Sequence, residues 1–277
     1  MGRMSELSGR ELTALIRAGT AEAAAALTAR GRQPRLAVVT ATSDEASAAY
    51  VRSLVNAAAK AGIACDVHHA DSADSVTAAI ARLAADPGVH GLMLQVPLPG
   101  GVSLPELAAA IPAAKDVDGA NPESLGRLVA GLPAFAPATA EAVLTLLDHY
   151  QVELAGRRAV VVGRSVVLGK PVAHLLLARH ATVTICHSRT PDLAAVTREA
   201  DILVAAAGRA GLIGPGHVSP GAIVIDVGTN VTSDGTLAGD VDPAVAAVAG
   251  ALSPVPGGVG SVTTALLLRH VVQATSR

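Results

Sequence analysis

Short apolar runs and amphipathic segments alternate from one end of the chain to the other. Residues 11–29 are rich in Ala and Leu and predict a helix. The run Arg35-Leu36-Ala37-Val38-Val39-Thr40 is apolar and ends in a polar residue, the pattern of a buried strand. Residues 44–61 predict a helix closed by Gly62, since glycine readily takes the left-handed turn that ends a helix. Residues 63–68 predict a second strand and 75–85 a helix stopped by Asp86-Pro87-Gly88. Residues 91–95 predict a third strand. Strands separated by helices of this length imply an α/β fold with a parallel sheet.

The stretch 97–137 is rich in Pro and Gly and predicts a loop-and-short-helix connection between domains. In the helix expected over 139–150, Val143, Leu146 and Leu147 share a face. Thr139 is its N-cap candidate, and the helix is expected to bridge the domains. The alternation then restarts. Strands are expected at 158–162, 182–186, 202–206 and 222–226, a helix at 171–179, and a last apolar helix at 263–273. The two halves share this α/β character but show no residue-level repeat.

At 277 residues the chain has room for two modest domains. Hydrophobic residues make up 51%, but there are only two Tyr, one Phe and no Trp, so Ala, Val, Leu and Ile must pack the core. The net charge of −2, without a basic block, argues against nucleic acid, and bases would find almost no aromatic platform. Cys65 and Cys186 are far apart and unpatterned, which fits a reducing cytoplasm. The nine histidines show no metal-ligand spacing, and His68-His69 reads as an exposed loop feature. The N-terminus is polar, without the apolar stretch of a signal peptide, and no long apolar run predicts a membrane span.

One turn carries candidate chemistry. Gly163-Arg164-Ser165-Val166-Val167-Leu168-Gly169-Lys170-Pro171 follows a predicted strand and opens a predicted helix, where a dinucleotide-binding turn belongs. Gly163 permits a tight turn, Gly169 close packing, and Pro171 suits a first helical turn. The helix N-terminus would offer N–H groups to a pyrophosphate. A glycine-rich turn without a ligand is the alternative. After the next strand stands His187-Ser188-Arg189-Thr190, where an NAD enzyme places an acid. Ser188 and Arg189, with Arg164 nearby, suit a 2′-phosphate, so NADP is favoured over NAD unless Arg189 is only a surface charge.

Further segments carry a resemblance. They are Gln95-Val96-Pro97-Leu98-Pro99, Lys115-Asp116-Val117-Asp118-Gly119, Ile225-Asp226-Val227-Gly228 and Pro254-Val255-Pro256-Gly257-Gly258-Val259-Gly260. With the cofactor motifs and Ser47-Ala48-Ala49-Tyr50-Val51-Arg52-Ser53-Leu54, they resemble, in order, the bifunctional methylenetetrahydrofolate dehydrogenase/cyclohydrolase family. The resemblance implies an α/β subunit of two domains with a folate cleft between them, usually a homodimer. Residues 1–121 and 264–277 would form the folate-binding catalytic domain, and 122–263 a Rossmann-type NADP-binding domain. Gly163, Arg164, Ser165, Ser188, Arg189 and Thr229 would bind NADP, Thr229 lining the nicotinamide pocket. Tyr50, Gln95, Asp118, Pro256, Gly257 and Gly258 would meet the folate, and Tyr50, Gln95 and Asp118 would serve catalysis. Asp118 would hold the pterin ring, although an Asp before Gly119 also suits a turn, and Tyr50 could be ordinary packing. The implied chemistry is NADP-dependent oxidation of 5,10-methylenetetrahydrofolate, then hydrolysis of the methenyl product to 10-formyltetrahydrofolate.

Leu54 departs from this pattern, since the resembled motif S-x-x-Y-V-x-x-K has its catalytic lysine there. Hydride transfer needs alignment rather than a side-chain acid, whereas hydrolysis is proton-transfer work to which a general acid–base group adds roughly 10²–10⁴-fold. The expectation is a dehydrogenase whose cyclohydrolase activity is lost or strongly impaired. Neither Arg52 nor Lys60 lies on the face of Leu54. Other departures cluster on the folate side. Thr40-Ala41-Thr42-Ser43-Asp44-Glu45 lacks the form V-G-D-N-P-A-S, Asn121 stands for a histidine, Ala138 for a cysteine, and Ser261-Val262 for Pro-Met. The alternatives are a fully bifunctional enzyme, a paralogue acting on a modified folate or other one-carbon adduct, and a non-catalytic folate- and NADP-binding partner.

Overall fold

The computed structural model describes residues 5–41, 44–99, 102–232 and 235–277, except the side chain at 46. The polar N-terminal residues 1–4 and Thr42-Ser43 of the departing loop lie outside the described residues. The chain divides into two compact units, Ala14–Ala138 with Thr264–Arg277, and Met1–Thr13 with Thr139–Thr263.

The first unit is built on a parallel three-stranded sheet, β3-β2-β4, from β2 (Arg35–Thr40), β3 (Ala64–His69) and β4 (Gly91–Gln95). The central strand is apolar from Leu36 to Val39 because both of its faces are covered. Leu36 and Val38 point into one core with Val51, Leu54, Ala58, Met93 and Leu267. Ala37 and Val39 point into another with Val76, Ile80, Leu83, Leu92 and Leu94. This is the strand signature of a sheet sandwiched between helices. The covering helices are most of α1 (Arg10–Thr28), α2 (Glu45–Lys60), α3 (Ala73–Ala85), the short α4 (Leu104–Ala109) and part of α9 (Val259–Ser276).

Local chemistry sets the helix ends. Asp44 caps α2 by accepting from the Ser47 amide at 2.8 Å. Gly62, at φ +73°, follows its last turn. The amides of Gly62 and Ile63 return to the carbonyls of Ala59 and Ala58, so the expected glycine stop is a Schellman turn. α3 is closed from a distance. The Lys115 ammonium donates to the carbonyls of Ala84 at 2.8 Å and Asp86 at 2.6 Å, meeting the negative end of the helix.

The second unit carries a six-stranded parallel sheet in the order β1-β11-β8-β7-β5-β6. Its strands are β1 (Ser5–Glu6), β5 (Arg158–Val162), β6 (Thr182–Cys186), β7 (Ile202–Ala205), β8 (Ile223–Asp226) and β11 (Ala251–Leu252). Helices α6 (Ala138–His149), α7 (Gly169–Ala178) and α8 (Leu193–Thr197) accompany it, with a hairpin of β9 (Asn230–Val231) and β10 (Leu237–Ala238). Strand order reverses at β5, which leads to β6 on one side while β7 lies on the other.

Several expectations shift. The units part at 138/139, not 121/122, and Met1–Thr13 belong with the second unit. Pairing explains this, since Ser5 and Glu6 add β1 to β11 and the amide of Leu7 donates to the Leu252 carbonyl. The expected loop-and-short-helix connection over 97–137 holds, among the described residues, the short helices α4 and α5 (Pro122–Val129). Asn121 caps α5 and ties it to the first unit, its side chain donating to the Ile111 carbonyl at 2.6 Å. Thr139 lies inside α6, which starts at Ala138, rather than capping it. His68 and His69 end β3 rather than sitting in a loop. β1, β9, β10 and β11 were not expected because each pairs through only two residues, too few for a readable period. No described helix is long and apolar enough to cross a membrane.

The Lys115 contacts give a test that separates folding from ligand binding. Lys115→Met should cost roughly 1–3 kcal/mol of stability, the scale of hydrogen bonds to a charged donor, and leave dinucleotide affinity unchanged. Urea denaturation checks this, and an unchanged midpoint would refute the capping role.

Candidate active site

The parallel strands of the second unit end in register. Val162 pairs with Cys186 and with Ala205, and Ala205 pairs with Asp226. The segments that follow therefore leave the sheet at one edge. They carry Gly163, Arg164 and Ser165 after β5, Ser188 and Arg189 after β6, and Thr229 after β8. Pro256, Gly257 and Gly258 follow β11, which pairs with β8. Arg164, Ser165, Ser188, Arg189 and Thr229 are all exposed.

Gly163 has φ +140°, and a Cβ there would collide with the carbonyl of Ala206. A Cβ on Gly169 would collide with the carbonyl of Gly163. Both glycines are thus required by close backbone approach. The helix α7 opens at this turn, as a pyrophosphate site requires. The 187–190 loop is held by its own side chains. The amide of His187 donates to the Thr190 hydroxyl at 2.9 Å, and the amide of Arg189 to His187 Nδ1 at 3.1 Å. The residues present fit a dinucleotide, and residues 187–190 include no acid that would repel a 2′-phosphate.

In the first unit, Gln95 closes β4 and Tyr50 stands on α2. Gln95 is buried. Its Nε2 donates to the Val96 carbonyl at 2.7 Å, and its Oε1 has no hydrogen-bond partner among the described residues. A buried acceptor left open in this way needs a donor from a ligand or water. Tyr50 shares a hydroxyl hydrogen bond with Thr264 and feels the charge of Asp118. Burial, and then that charge, push the Tyr50 phenol up to about 12. Burial first, and then Asp116, push the Asp118 carboxyl up to about 7, against the influence of His270. His270 lies with Nδ1 2.8 Å from the Val117 carbonyl. Leu54 is fully buried in the core with Val51, Ala58 and Met93.

The structure thus brings Tyr50 and Asp118 together with Thr264 and His270, which the sequence reading did not single out. A Thr and a His on an apolar helix are the one signal that could have drawn attention to them. Lys115 and Asp116 serve the fold. The buried Asp116 carboxylate accepts from the amides of Ala120 at 3.0 Å and Asn121 at 2.9 Å, shaping the turn that presents Asp118. Pro256, Gly257 and Gly258 belong to the second unit, and Tyr50, Gln95 and Asp118 to the first. Gly257 has φ +105°, and its carbonyl accepts from the Gly9 amide at 2.8 Å.

The family model for the catalytic domain of tetrahydrofolate dehydrogenase/cyclohydrolase matches residues 7–118, and the model for its NAD(P)-binding domain matches 137–277. The chain belongs to the tetrahydrofolate dehydrogenase/cyclohydrolase family. It is an enzyme of that family and carries its NAD(P)-binding domain. "Bifunctional protein FolD 1" of Saccharopolyspora erythraea is 60% identical over 98% of this chain and 94% of its own length. The bifunctional FolD structure from Campylobacter jejuni is 37% identical, with a TM-score of 0.95, and the match covers 99% of each chain. The Trypanosoma brucei methylenetetrahydrofolate dehydrogenase-cyclohydrolase, solved with NADP and an inhibitor, is 35% identical with a TM-score of 0.92, covering 100% of this chain and 99% of that one.

The Asp118 environment predicts a pH dependence. The unfolded carboxyl titrates near 3.8 and the folded one near 7, so the native state holds a proton that the unfolded state releases between those values. Stability from this group is complete below the unfolded value and is lost as pH rises through the folded one. Asp118→Asn should therefore gain on the parent chain across that window and hold the gain above it. Urea midpoints measured through the window check this, and parallel profiles would exclude the shift.

Proposed function

We propose that the chain oxidises 5,10-methylenetetrahydrofolate with NADP and hydrolyses the methenyl product to 10-formyltetrahydrofolate. The observation that carries this reading is full-length similarity, at 60% identity, to a relative named as bifunctional. The folate is assigned to Tyr50, Gln95 and Asp118 of the first unit, and NADP to the second unit. NADP, when bound, supplies the hydride acceptor. Gly163 and Ser165 bind its phosphates at the start of α7, Arg164, Ser188 and Arg189 hold the 2′-phosphate, and Thr229 lines the nicotinamide pocket. Asp118 accepts from the pterin ring in its ionised form, Tyr50 contacts the folate, and the open Oε1 of Gln95 takes a donor from folate or water.

The residues do not have to move a proton in the oxidation, because the folate nitrogens stabilise the cation that forms. Their work there is alignment. In the hydrolysis, water adds to the methenyl carbon, one carbon–nitrogen bond breaks with its electron pair going to nitrogen, and one proton is released. With leucine at 54, the open Oε1 of Gln95 accepts from the water.

Leu54 favours a second reading, a dehydrogenase with impaired hydrolysis. Its side chain belongs to the hydrophobic core and can neither ionise nor hydrogen-bond. One pair of assays separates the two. Purified protein given methylenetetrahydrofolate should reduce NADP under either reading, and failure to reduce NADP or bind folate would sink both. Methenyl hydrolysis faster than the uncatalysed rate supports the bifunctional reading, whereas accumulation of methenyl supports the second. Under the second reading, Leu54→Lys should raise hydrolysis, by up to roughly 10²–10⁴-fold.

Cofactor choice has its own test. Arg189→Ser should weaken NADP binding roughly tenfold, the lower end for a charge-assisted hydrogen bond at an exposed site, and leave NAD unaffected. Equal loss for both would refute the role of Arg189. We also assign the chain to a reducing cytoplasm, consistent with the free thiols of Cys65 and Cys186, and infer a homodimer, which solution mass measurement checks.

A further inference from the structure

We propose that Asp240 is a positioning residue for the nicotinamide end of the dinucleotide site, acting through the loop after β7 and through Asn230. The inference rests on the reading that a dinucleotide lies over the carboxyl ends of β5, β7 and β8. In an open parallel sheet, ligands bind where the strand order reverses, and here that point lies between β5 and β7.

The loop after β7 backs the cofactor turn directly, since Gly163 lies against the carbonyl of Ala206. Residues 207–209 continue past that contact with no strand to pair with. Their three successive amides converge on one carboxylate. Asp240 Oδ2 accepts from Ala207 at 2.6 Å and Gly208 at 2.9 Å. Oδ1 accepts from Arg209 at 2.8 Å and from the Asn230 side-chain amide at 2.9 Å. Such a run of amides is an anion-binding concavity. Here the chain fills it with its own buried carboxylate, which makes it a fixed wall rather than a phosphate site.

Asp240 is itself held in place. Its amide donates to Asp226 Oδ1 at 2.9 Å, and the amide of Val241 to Asp226 Oδ2 at 3.0 Å. Asp226 is anchored at the end of β8, its amide donating to the Ser253 hydroxyl at 2.8 Å. Side chains are excluded where the two acids cross, since a Cβ on Gly228 would meet Asp240 and one on Gly239 would meet Asp226. The run Ile225-Asp226-Val227-Gly228 therefore has a structural partner in Gly239-Asp240-Val241. Together they lock the segment after β7 to Asn230, the neighbour of Thr229. Asp240 need not touch the cofactor. It sets the backbone on either side of the strand ends where the nicotinamide would lie.

Asp240→Asn tests this with little change in shape. An asparagine has one acceptor oxygen, and its amide would face donors on the other side, so part of the four-donor set loses its acceptor. NADP should bind roughly 10- to 100-fold more weakly, the range for losing hydrogen bonds to a charged acceptor, with folate affinity unchanged. Hydrogen exchange should show the amides of 207–209 exposed while those of β5 and β7 stay protected. A purely structural role would instead lower the unfolding midpoint and leave NADP affinity of the folded protein unmoved. If Asp240→Asn does not fold, Asn230→Ala removes one donor and should give a smaller loss of NADP affinity. A folded variant that binds NADP like the parent overturns the assignment of Asp240 alone. Absence of NADP binding by the parent chain overturns the dinucleotide reading and this inference with it.

Discussion

Loops that leave a parallel sheet bring their backbone amides with them, and those amides must find acceptors once they are buried. In this chain, aspartates supply many of them. Asp116 accepts from the turn that carries Asp118, Asp226 from three amides at the end of β8 and beyond, and Asp240 from the three after β7. Burial pushes the carboxyls of Asp116 and Asp226 upward, while the amides they accept from pull them back down. Lys115 does the converse work for orphan carbonyls at the end of α3. The short motifs of this chain are therefore partly backbone chemistry. In Lys115-Asp116-Val117-Asp118-Gly119 the first residue closes α3, and the second builds the turn on which Asp118 stands.

The leucine at 54 reads differently once its surroundings are known. On the helix α2, Tyr50 and Leu54 share a face, as their spacing requires. Tyr50 reaches the hydroxyl of Thr264 and the field of Asp118, while Leu54 is absorbed into the core beneath them. The leucine is a well-packed side chain, not a hole. An ammonium there would have to be held against its own desolvation. Nearby, Asp118 is a carboxyl that titrates near neutrality, because burial and Asp116 act on it more strongly than His270 does.

The long elements were readable because their periods are long enough to register. The strands Arg35–Thr40 and Arg158–Val162 stand as expected, and the helix before Gly62 ends by the mechanism the glycine suggests. The candidate cofactor residues were legible for a related reason, since a glycine turn between strand and helix is a local pattern. Thr264, His270 and Asp240 were not legible, because their partners are far away in sequence. His270 reaches the Val117 carbonyl, and Asp240 collects amides from 207–209. No window along the chain contains both sides of such a bond.

The sequence by itself determined the α/β alternation, the glycines that allow close backbone approach, and the family to which the ordered motifs belong. These rest on local periodicity and on residue types whose backbone freedom or charge has one dominant use. Only the tertiary structure decided that Ser5 and Glu6 join the sheet of the second unit, that the units part at 138/139, and that Leu54 is a core residue. It alone showed that Asp118 sits where burial raises its carboxyl, while its neighbour Asp116 is spent on a turn. The physical reason is common to all of these. Pairing, burial and the field at a carboxyl are sums over neighbours that the chain brings together only when it folds.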